Sequence, residues 1–86
     1  MSHTSLILKL LTPDGTAFEG SVSAVFLPGT QGRFEVLPGH APIISSLDAG
    51  TIEWRVGEKL ESLAVRDGAV IVENDTVTVC AQVSGK

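Results

Sequence analysis

Turn-forming residues recur roughly every eight to twelve positions along this chain, and the stretches between them alternate apolar with polar side chains. The clearest stretch runs from Thr51 to Val56, where Ile52 and Trp54 alternate with polar residues. Because side chains of a β-strand point alternately to opposite faces, this period of two indicates strands with one face in a core. No useful length of chain shows the spacing of an amphipathic helix. The pattern predicts an all-β sandwich or barrel.

Four further segments combine glycine, proline, asparagine or aspartate in ways that favour chain reversal. They are Thr12 to Gly15, Val56 to Lys59, Asp67-Gly68 and Asn74-Asp75. We expect each of them to connect two short strands, with Val56 to Lys59 forming a hairpin around its glycine.

The segment from Leu27 to Pro42 contains two Leu-Pro-Gly sequences around one short alternating stretch. Proline presets the first central position of a turn and glycine accepts the positive φ that follows, so both sequences predict type II turns. Leu27 and Leu37 are then the last core-directed residues before each turn. Between them, Arg33 and Glu35 should point away from Phe34 and Val36. The segment predicts a rigid surface lobe that presents residues to a partner.

Composition restricts the function further. The 86 residues suit one domain, over 1–86, and 43% of them are hydrophobic, which is enough for a core. The net charge of −4 and the lack of a Lys/Arg cluster argue against nucleic acid as a ligand. No apolar run approaches the length of a membrane span, and no secretory signal is visible. One cysteine, Cys80, fits a reducing, cytosolic setting.

No set of residues predicts a reaction centre, a metal site or a cofactor site. His40 lacks neighbours with metal-ligand spacing, so we interpret it as a turn histidine that bonds the local backbone. The stretch Gly29 to Gly32 lacks the Gly-Lys-Ser/Thr ending of a phosphate loop. Cys80 lies on an alternating stretch as a small packing residue or an inert surface thiol. Glu53 and Arg55 predict a solvated face with a cross-strand ion pair.

The order of the motifs resembles one known family. Thr12-Pro13-Asp14-Gly15 and Phe18-Glu19-Gly20 precede the most specific run, Val36-Leu37-Pro38-Gly39-His40-Ala41-Pro42, and Val77-Thr78-Val79 follows near the end. Over nearly its whole length the chain resembles the N-terminal β-sandwich domain of the epsilon subunit of F-type ATP synthases. The resemblance implies a flattened two-sheet sandwich of about ten short strands.

The resemblance also implies a non-catalytic subunit of the central stalk, without a cofactor. Such a subunit joins gamma to the membrane ring of c subunits and couples proton or sodium transport to ATP synthesis. It would lie peripherally at the cytoplasmic face of the bacterial plasma membrane, with no span of its own. Two helices follow the sandwich in many relatives, whereas this sequence ends at Lys86. A short form and a truncation both stay open, and we expect no nucleotide binding without those helices.

Two sets of residues follow from the resemblance. The ring-facing lobe would comprise Gly29, Thr30, Gln31, Gly32, Arg33 and Glu35. The gamma-facing set would comprise Thr12, His40, Ala41, Pro42 and Ser45. Relatives often carry glutamate at position 33 and glycine at position 35. We therefore hypothesise that Glu35 replaces the acidic contact to a basic ring loop.

Two other functions are compatible with a small β fold. A free-standing sandwich that binds glycans or small ligands needs exposed aromatic side chains, and this chain has one Trp, three Phe and no Tyr. A small hydrolase needs a nucleophile, a base and an orienting acid, and the two histidines have no such partners nearby in sequence.

Overall fold

The computed structural model describes residues 5–84, and all regular structure in that part of the chain is β-strand. The strands are β1 (Leu6–Thr12), β2 (Gly15–Val22), β3 (Ala24–Gly29), β4 (Gly32–Val36), β5 (Ile43–Leu47), β6 (Gly50–Val56), β7 (Lys59–Glu73) and β8 (Thr76–Val83). The all-β prediction is confirmed, with eight strands in residues 5–84 against about ten expected.

Strand β7 is 15 residues long and belongs to both layers of the fold. Its first half pairs with β6, and its second half lies between β8 and β5. The register with β8 shifts between Val65 and Asp67, where the two halves meet. One layer is thus β2-β1-β8-β7-β5, and the other is β4-β3-β6-β7. A bulge that redirects a strand lets one chain segment serve two packed sheets.

The core lies between these layers and follows the alternation of the sequence. In β1 the alternate residues Leu6, Leu8 and Leu10 are buried, and β6 buries Ile52 and Trp54 in the same way, as predicted. The largest fully buried side chains are Leu6, Leu8, Leu10, Leu27, Ile52, Val22, Val25, Val36, Val65, Val70, Val72 and Val77. Within residues 5–84 no polar or charged residue is buried, so hydrophobic burial dominates the stability of the fold.

Several predicted turns are confirmed. Thr12 pairs with Gly15, and its Oγ1 donates a hydrogen bond to the Gly15 carbonyl at 3.1 Å. Gly57 joins β6 to β7 with a φ of 62°. Asn74 and Asp75 have φ values of 52° and 60°. Consecutive left-handed residues are typical of the type I′ hairpin turn, which Asn and Asp tolerate better than most residues.

The second Leu-Pro-Gly sequence turns as predicted, but the first does not. Gly39 has a φ of 87°, and the His40 amide donates to the Leu37 carbonyl at 3.1 Å. By contrast β3 continues through Pro28 to Gly29, and the chain reverses one step later, with Gly29 opposite Gly32. Gly29 is needed for a close approach instead, because a Cβ there would lie 2.8 Å from the Phe34 ring.

Two smaller expectations are wrong. Asp67-Gly68 is not a turn, because β7 runs through it at the bulge. Gly68 permits β8 to pass closely, since a Cβ on it would lie 2.6 Å from the Cys80 carbonyl oxygen. Leu37 does not point into the core and is 47% exposed, since β4 ends at Val36 and the following turn projects outward.

Candidate functional site

The lobe predicted from the sequence is the hairpin of β3 and β4. Arg33 and Glu35 are exposed, whereas Phe34 is half-buried and Val36 is buried, so the predicted alternation is confirmed. Thr30, Gln31 and Gly32 at the tip are exposed, and Gly29 is buried. The Thr30 amide donates to the Ser46 carbonyl at 3.1 Å, which attaches the base of the lobe to β5.

Four charged side chains surround this hairpin on the outer side of its layer. We call Arg33, Glu35, Glu53 and Arg55 the charged face. The guanidinium of Arg33 donates from Nη1 to the Thr51 carbonyl at 2.8 Å and from Nη2 to Glu53 Oε1 at 2.6 Å. The predicted cross-strand ion pair therefore forms, but Arg33 rather than Arg55 is the cation.

The turn that contains His40 is fixed by the neighbouring turn between β7 and β8. The Gly39 amide donates to Asp75 Oδ1 at 2.7 Å, and the Ile7 amide donates to the Asp75 carbonyl at 2.8 Å. His40 Nδ1 lies 2.6 Å from the Ala41 carbonyl oxygen, so this nitrogen carries the proton and donates. The interpretation of His40 as a backbone-bonding turn histidine is confirmed.

The other outer surface of the sandwich carries exposed aliphatic side chains. Ile44 is 80% exposed, Ile71 is 48% exposed, and Ile7 is 40% exposed. Ile44 and Ile71 are direct neighbours across β5 and β7. Leu11, Ala69 and Cys80 continue the surface along one cross-strand row. We call these six residues the isoleucine face.

A shallow groove of about 400 Å³ crosses this face between β5 and the end of β7. Pro42 and Ile44 form one side of it, and Ile71 and Glu73 form the other. Sequence reasoning placed Pro42 near a partner but missed Ile7 and Ile71. Their signal was available, because both occupy outward positions of strands whose inward positions are also apolar.

The predicted gamma-facing residues lie around this face. Thr12 follows Leu11 at one end of β1, whereas His40, Ala41 and Pro42 lie near Ile7 at the other end of the strand. Ser45 has the core-facing parity of β5, is half-buried, and its hydroxyl donates to the Ser46 carbonyl at 3.0 Å. The outward residues of that strand are Ile44 and Ser46, and of the two only Ile44 exposes a large apolar side chain.

Three further features concern metal ligands, the free thiol and membrane-spanning helices. Within 5–84 no group of three His, Cys, Asp or Glu side chains is placed to hold a metal ion. The Cys80 thiol is exposed beside Leu11, Thr12 and Asp67. In the same range no helix is long and apolar enough to cross a membrane.

Comparison with known families decides the classification. The family model for the β-sandwich domain of ATP synthase delta/epsilon chains matches residues 5–84. The chain belongs to this family. The resemblance based on the Pro-Gly-His-Ala-Pro run is thereby confirmed, and the match to the delta/epsilon sandwich domain covers all described strands.

Individual relatives of the delta/epsilon family agree. The ATP synthase epsilon chain of Synechococcus sp. (strain CC9311) is 41% identical over 75 residues, covering 87% of this chain and 56% of the relative. The epsilon chain of Wolinella succinogenes is 47% identical over 77 residues, covering 88% and 59%. The chain therefore spans somewhat more than half the length of these relatives.

Solved structures show the same fold. A chain of the Euglena gracilis mitochondrial ATP synthase, solved as an OSCP/F1/c-ring assembly, matches with a TM-score of 0.87 at 23% identity, covering 94% of this chain and 52% of that one. A chain from the Tetrahymena thermophila mitochondrial ATP synthase, in a central stalk and c-ring structure, matches with a TM-score of 0.76 at 14% identity, covering 95% and 66%.

Proposed function

We propose that this chain, as one sandwich domain over residues 1–86, is the part of an ATP synthase epsilon subunit that joins the gamma subunit to the ring of c subunits. Its role is mechanical and non-catalytic, and it couples proton or sodium transport to ATP synthesis at the cytoplasmic face of the membrane. Family membership and the central-stalk structures of the neighbours support this proposal.

The observation that carries the proposal is the exposure of Ile44 beside Ile71. Exposed apolar clusters rimmed by polar residues are typical of protein–protein contacts. We assign the isoleucine face, with Thr12, His40, Ala41, Pro42 and Ser45 around it, to gamma. Burial of such side chains contributes roughly 25 cal/mol per Å² of apolar surface, which suits a lasting attachment.

We assign the contact with the c-ring to the lobe and to the charged face around it. The lobe residues Gly29, Thr30, Gln31, Gly32, Arg33 and Glu35 form a compact tip attached to β5 and β6 by hydrogen bonds. A tip fixed in this way can transmit force to the c-ring without bending. Polar and charged contacts contribute more to orientation than to affinity, which suits a contact that sets the register of two rotating parts.

Capture by purified gamma chain tests the assignment. Ile44→Arg places a charge in the centre of the isoleucine face and should weaken gamma binding about 100-fold, since an unpaired charge in an interface costs several kcal/mol. The matched control is Leu60→Arg, because Leu60 is also an exposed apolar residue, 50% exposed, but lies on the layer of the charged face. Equal weakening by both substitutions would contradict the assignment.

The ring contact has a separate test in reconstituted complexes. Removal of the lobe tip by a shortened hairpin should abolish ATP-driven ion pumping while ATP hydrolysis continues. Retained pumping would show that the lobe does not join the stalk to the ring.

A further inference from the structure

The layer β4-β3-β6-β7 ends at the first half of β7, and no strand lies beside that edge. Among residues 5–84, residues 59–63 pair only with β6. The Ser84 amide donates to the Ala64 carbonyl at 3.0 Å, so this carbonyl faces away from β6. Because alternate residues of an antiparallel strand turn their amide and carbonyl groups to the same side, those of Leu60 and Ser62 also face away from β6. A further strand can therefore be added at this edge.

The other three sheet edges within residues 5–84 are less suited to strand addition. Strand β2 contains a bulge, because its register with β1 shifts after Leu10, and bulges hinder pairing at an edge. Strand β5 is already bonded to β3 at one end, where the Thr30 amide donates to the Ser46 carbonyl at 3.1 Å. On β4 the one cation, Arg33, is held in its ion pair with β6. The pairing of β7 with β6 shows no register shift, and this half of β7 contains no proline.

The side chains of the β7 edge carry a charge pattern that complements itself. Lys59 and Glu61 are exposed on either side of Leu60, which is itself 50% exposed, and neither makes an ion pair within residues 5–84. When two copies pair antiparallel with Leu60 at the centre, Lys59 of each copy lies opposite Glu61 of the other. The two leucines then face each other on the other side of the sheet. Opposite charges and apolar side chains directly across a strand pair are stabilising, and like charges are destabilising.

We propose that the first half of β7 pairs with the same segment of a second copy of this chain, antiparallel and centred on Leu60. The amide and carbonyl of Leu60 in each copy then bond those of the other. Centring the pair on Glu61 would bring two carboxylates together, so the charges also fix the register. Charged side chains at an edge hinder strands that do not match them, which restricts the partner. The inference goes beyond the proposed function, because it requires neither gamma nor the c-ring.

Sedimentation equilibrium of the chain at neutral pH tests the pairing. An interface of one short strand is small, so we expect dimers to form between about 0.1 and 1 mM chain. Glu61→Lys and Lys59→Glu should each weaken dimer formation about tenfold, because both ion pairs become repulsive. An equimolar mixture of the two variants should dimerise about as well as wild type, since every charge then meets an opposite charge on the other chain. Wild-type chain that stays monomeric at about 1 mM, or a mixture no better than its components, would overturn the proposal.

Two controls accompany the charge variants. Glu19→Lys makes the same change of charge as Glu61→Lys at an exposed position of β2, an edge of the other layer, and should leave dimer formation unchanged. Equal weakening by both substitutions would overturn the assignment to β7. The mixture controls for folding, because a variant that fails to fold cannot be rescued by a second variant chain.

Hydrogen exchange locates the contact within the strand. The Leu60 amide faces the free edge, so its exchange should slow as the chain concentration rises through the range in which dimers form. The Glu61 amide faces β6 and should change less, which makes it the internal reference. Protection of the Leu60 amide that is equal at every concentration would mean that the chain covers its own edge. That result, or slowing confined to another strand, would overturn the proposal.

Discussion

The two outer faces of the sandwich come from the same alternation of side chains but expose opposite chemistry. The isoleucine face leaves Ile44 and Ile71 in contact with solvent. On the charged face the side chain of Arg33 crosses over Pro28, which is buried. One face gains free energy when a partner covers it, whereas on the other the contact of Arg33 with Thr51 and Glu53 is already made within the chain. The difference suggests that attachment and orientation are divided between the two faces.

The largest expected effect that tests this division between the faces is the protection of the Cys80 thiol by gamma. Cys80 is exposed on the isoleucine face, so gamma should shield it from maleimide. With gamma at about 100 times its Kd, roughly 1% of the chain is free, and labelling should slow about 100-fold. Mass spectrometry of the labelled fraction over time measures this.

The matched control places the thiol on the other layer. Ser62→Cys in a Cys80→Ser background creates an exposed thiol on β7 opposite Glu53. Gamma should leave its labelling rate unchanged. Similar protection of both thiols would mean that gamma covers both faces, and the division between them would be wrong.

The next effect concerns the strand that both faces share. Gly68→Ala places a Cβ 2.6 Å from the Cys80 carbonyl oxygen and 3.0 Å from the Ala81 Cα, at the point where β7 passes from one layer to the other. Because backbone atoms must move, we expect a loss of about 2–3 kcal/mol in the free energy of unfolding, measured by urea denaturation.

Gly20→Ala controls for the general effect of replacing a strand glycine. Its Cβ would lie 3.4 Å from the Phe18 ring, an ordinary contact, on the edge strand β2. We expect a change within about 0.5 kcal/mol. A loss at Gly68 no larger than the loss at Gly20 would show that the bulge accommodates a side chain.

The sequence predicted what depends on alternation and missed what depends on distant strands. Ile52 and Trp54 were placed in the core correctly because a period of two is a local property. Pro28 and Gly68 were misread as turn residues because their real roles involve neighbours across the sheet. Proline and glycine are ambiguous in sequence, since both favour turns and both also occur where strands approach closely.

In the candidate site, too, the features that depend on alternation were predictable and those that depend on distant strands were not. The alternation of Arg33 and Glu35 was predictable, but the partner of Arg33 was not, because Glu53 is 20 positions away and reaches it only across β3. The resemblance implies a gamma-facing Ser45, and that stays a prediction, whereas the burial pattern of β5 exposes its neighbour Ile44. Which of two neighbouring residues faces outward depends on the register of the strand, because a shift of one residue moves every side chain to the opposite face.

A smaller effect is expected at the turn beside the isoleucine face. Asp75→Ala removes the acceptor of the Gly39 amide and places alanine at a φ of 60°, and we expect the two changes together to cost about 1–2 kcal/mol of unfolding free energy. Asp75→Asn keeps an oxygen at that position and should recover most of the loss. Thermal unfolding of both variants measures this, and equal losses would mean that the charge rather than the hydrogen bond stabilises the turn.

The smallest expected effect tests how far the charged face depends on its ion pair for stability. Arg33→Met keeps an apolar side chain above Pro28 but removes both donations, to Thr51 and to Glu53. The two paired side chains are 45% and 34% exposed, so solvent screens the pair and we expect a loss of no more than about 1 kcal/mol at low salt. The loss should shrink toward that of Arg55→Met in 1 M salt, where the Debye length is about 3 Å. Because Arg55 lies on the same face and makes no ion pair within residues 5–84, a salt-insensitive difference between the two variants would assign the stabilisation to the Thr51 hydrogen bond instead of the ion pair.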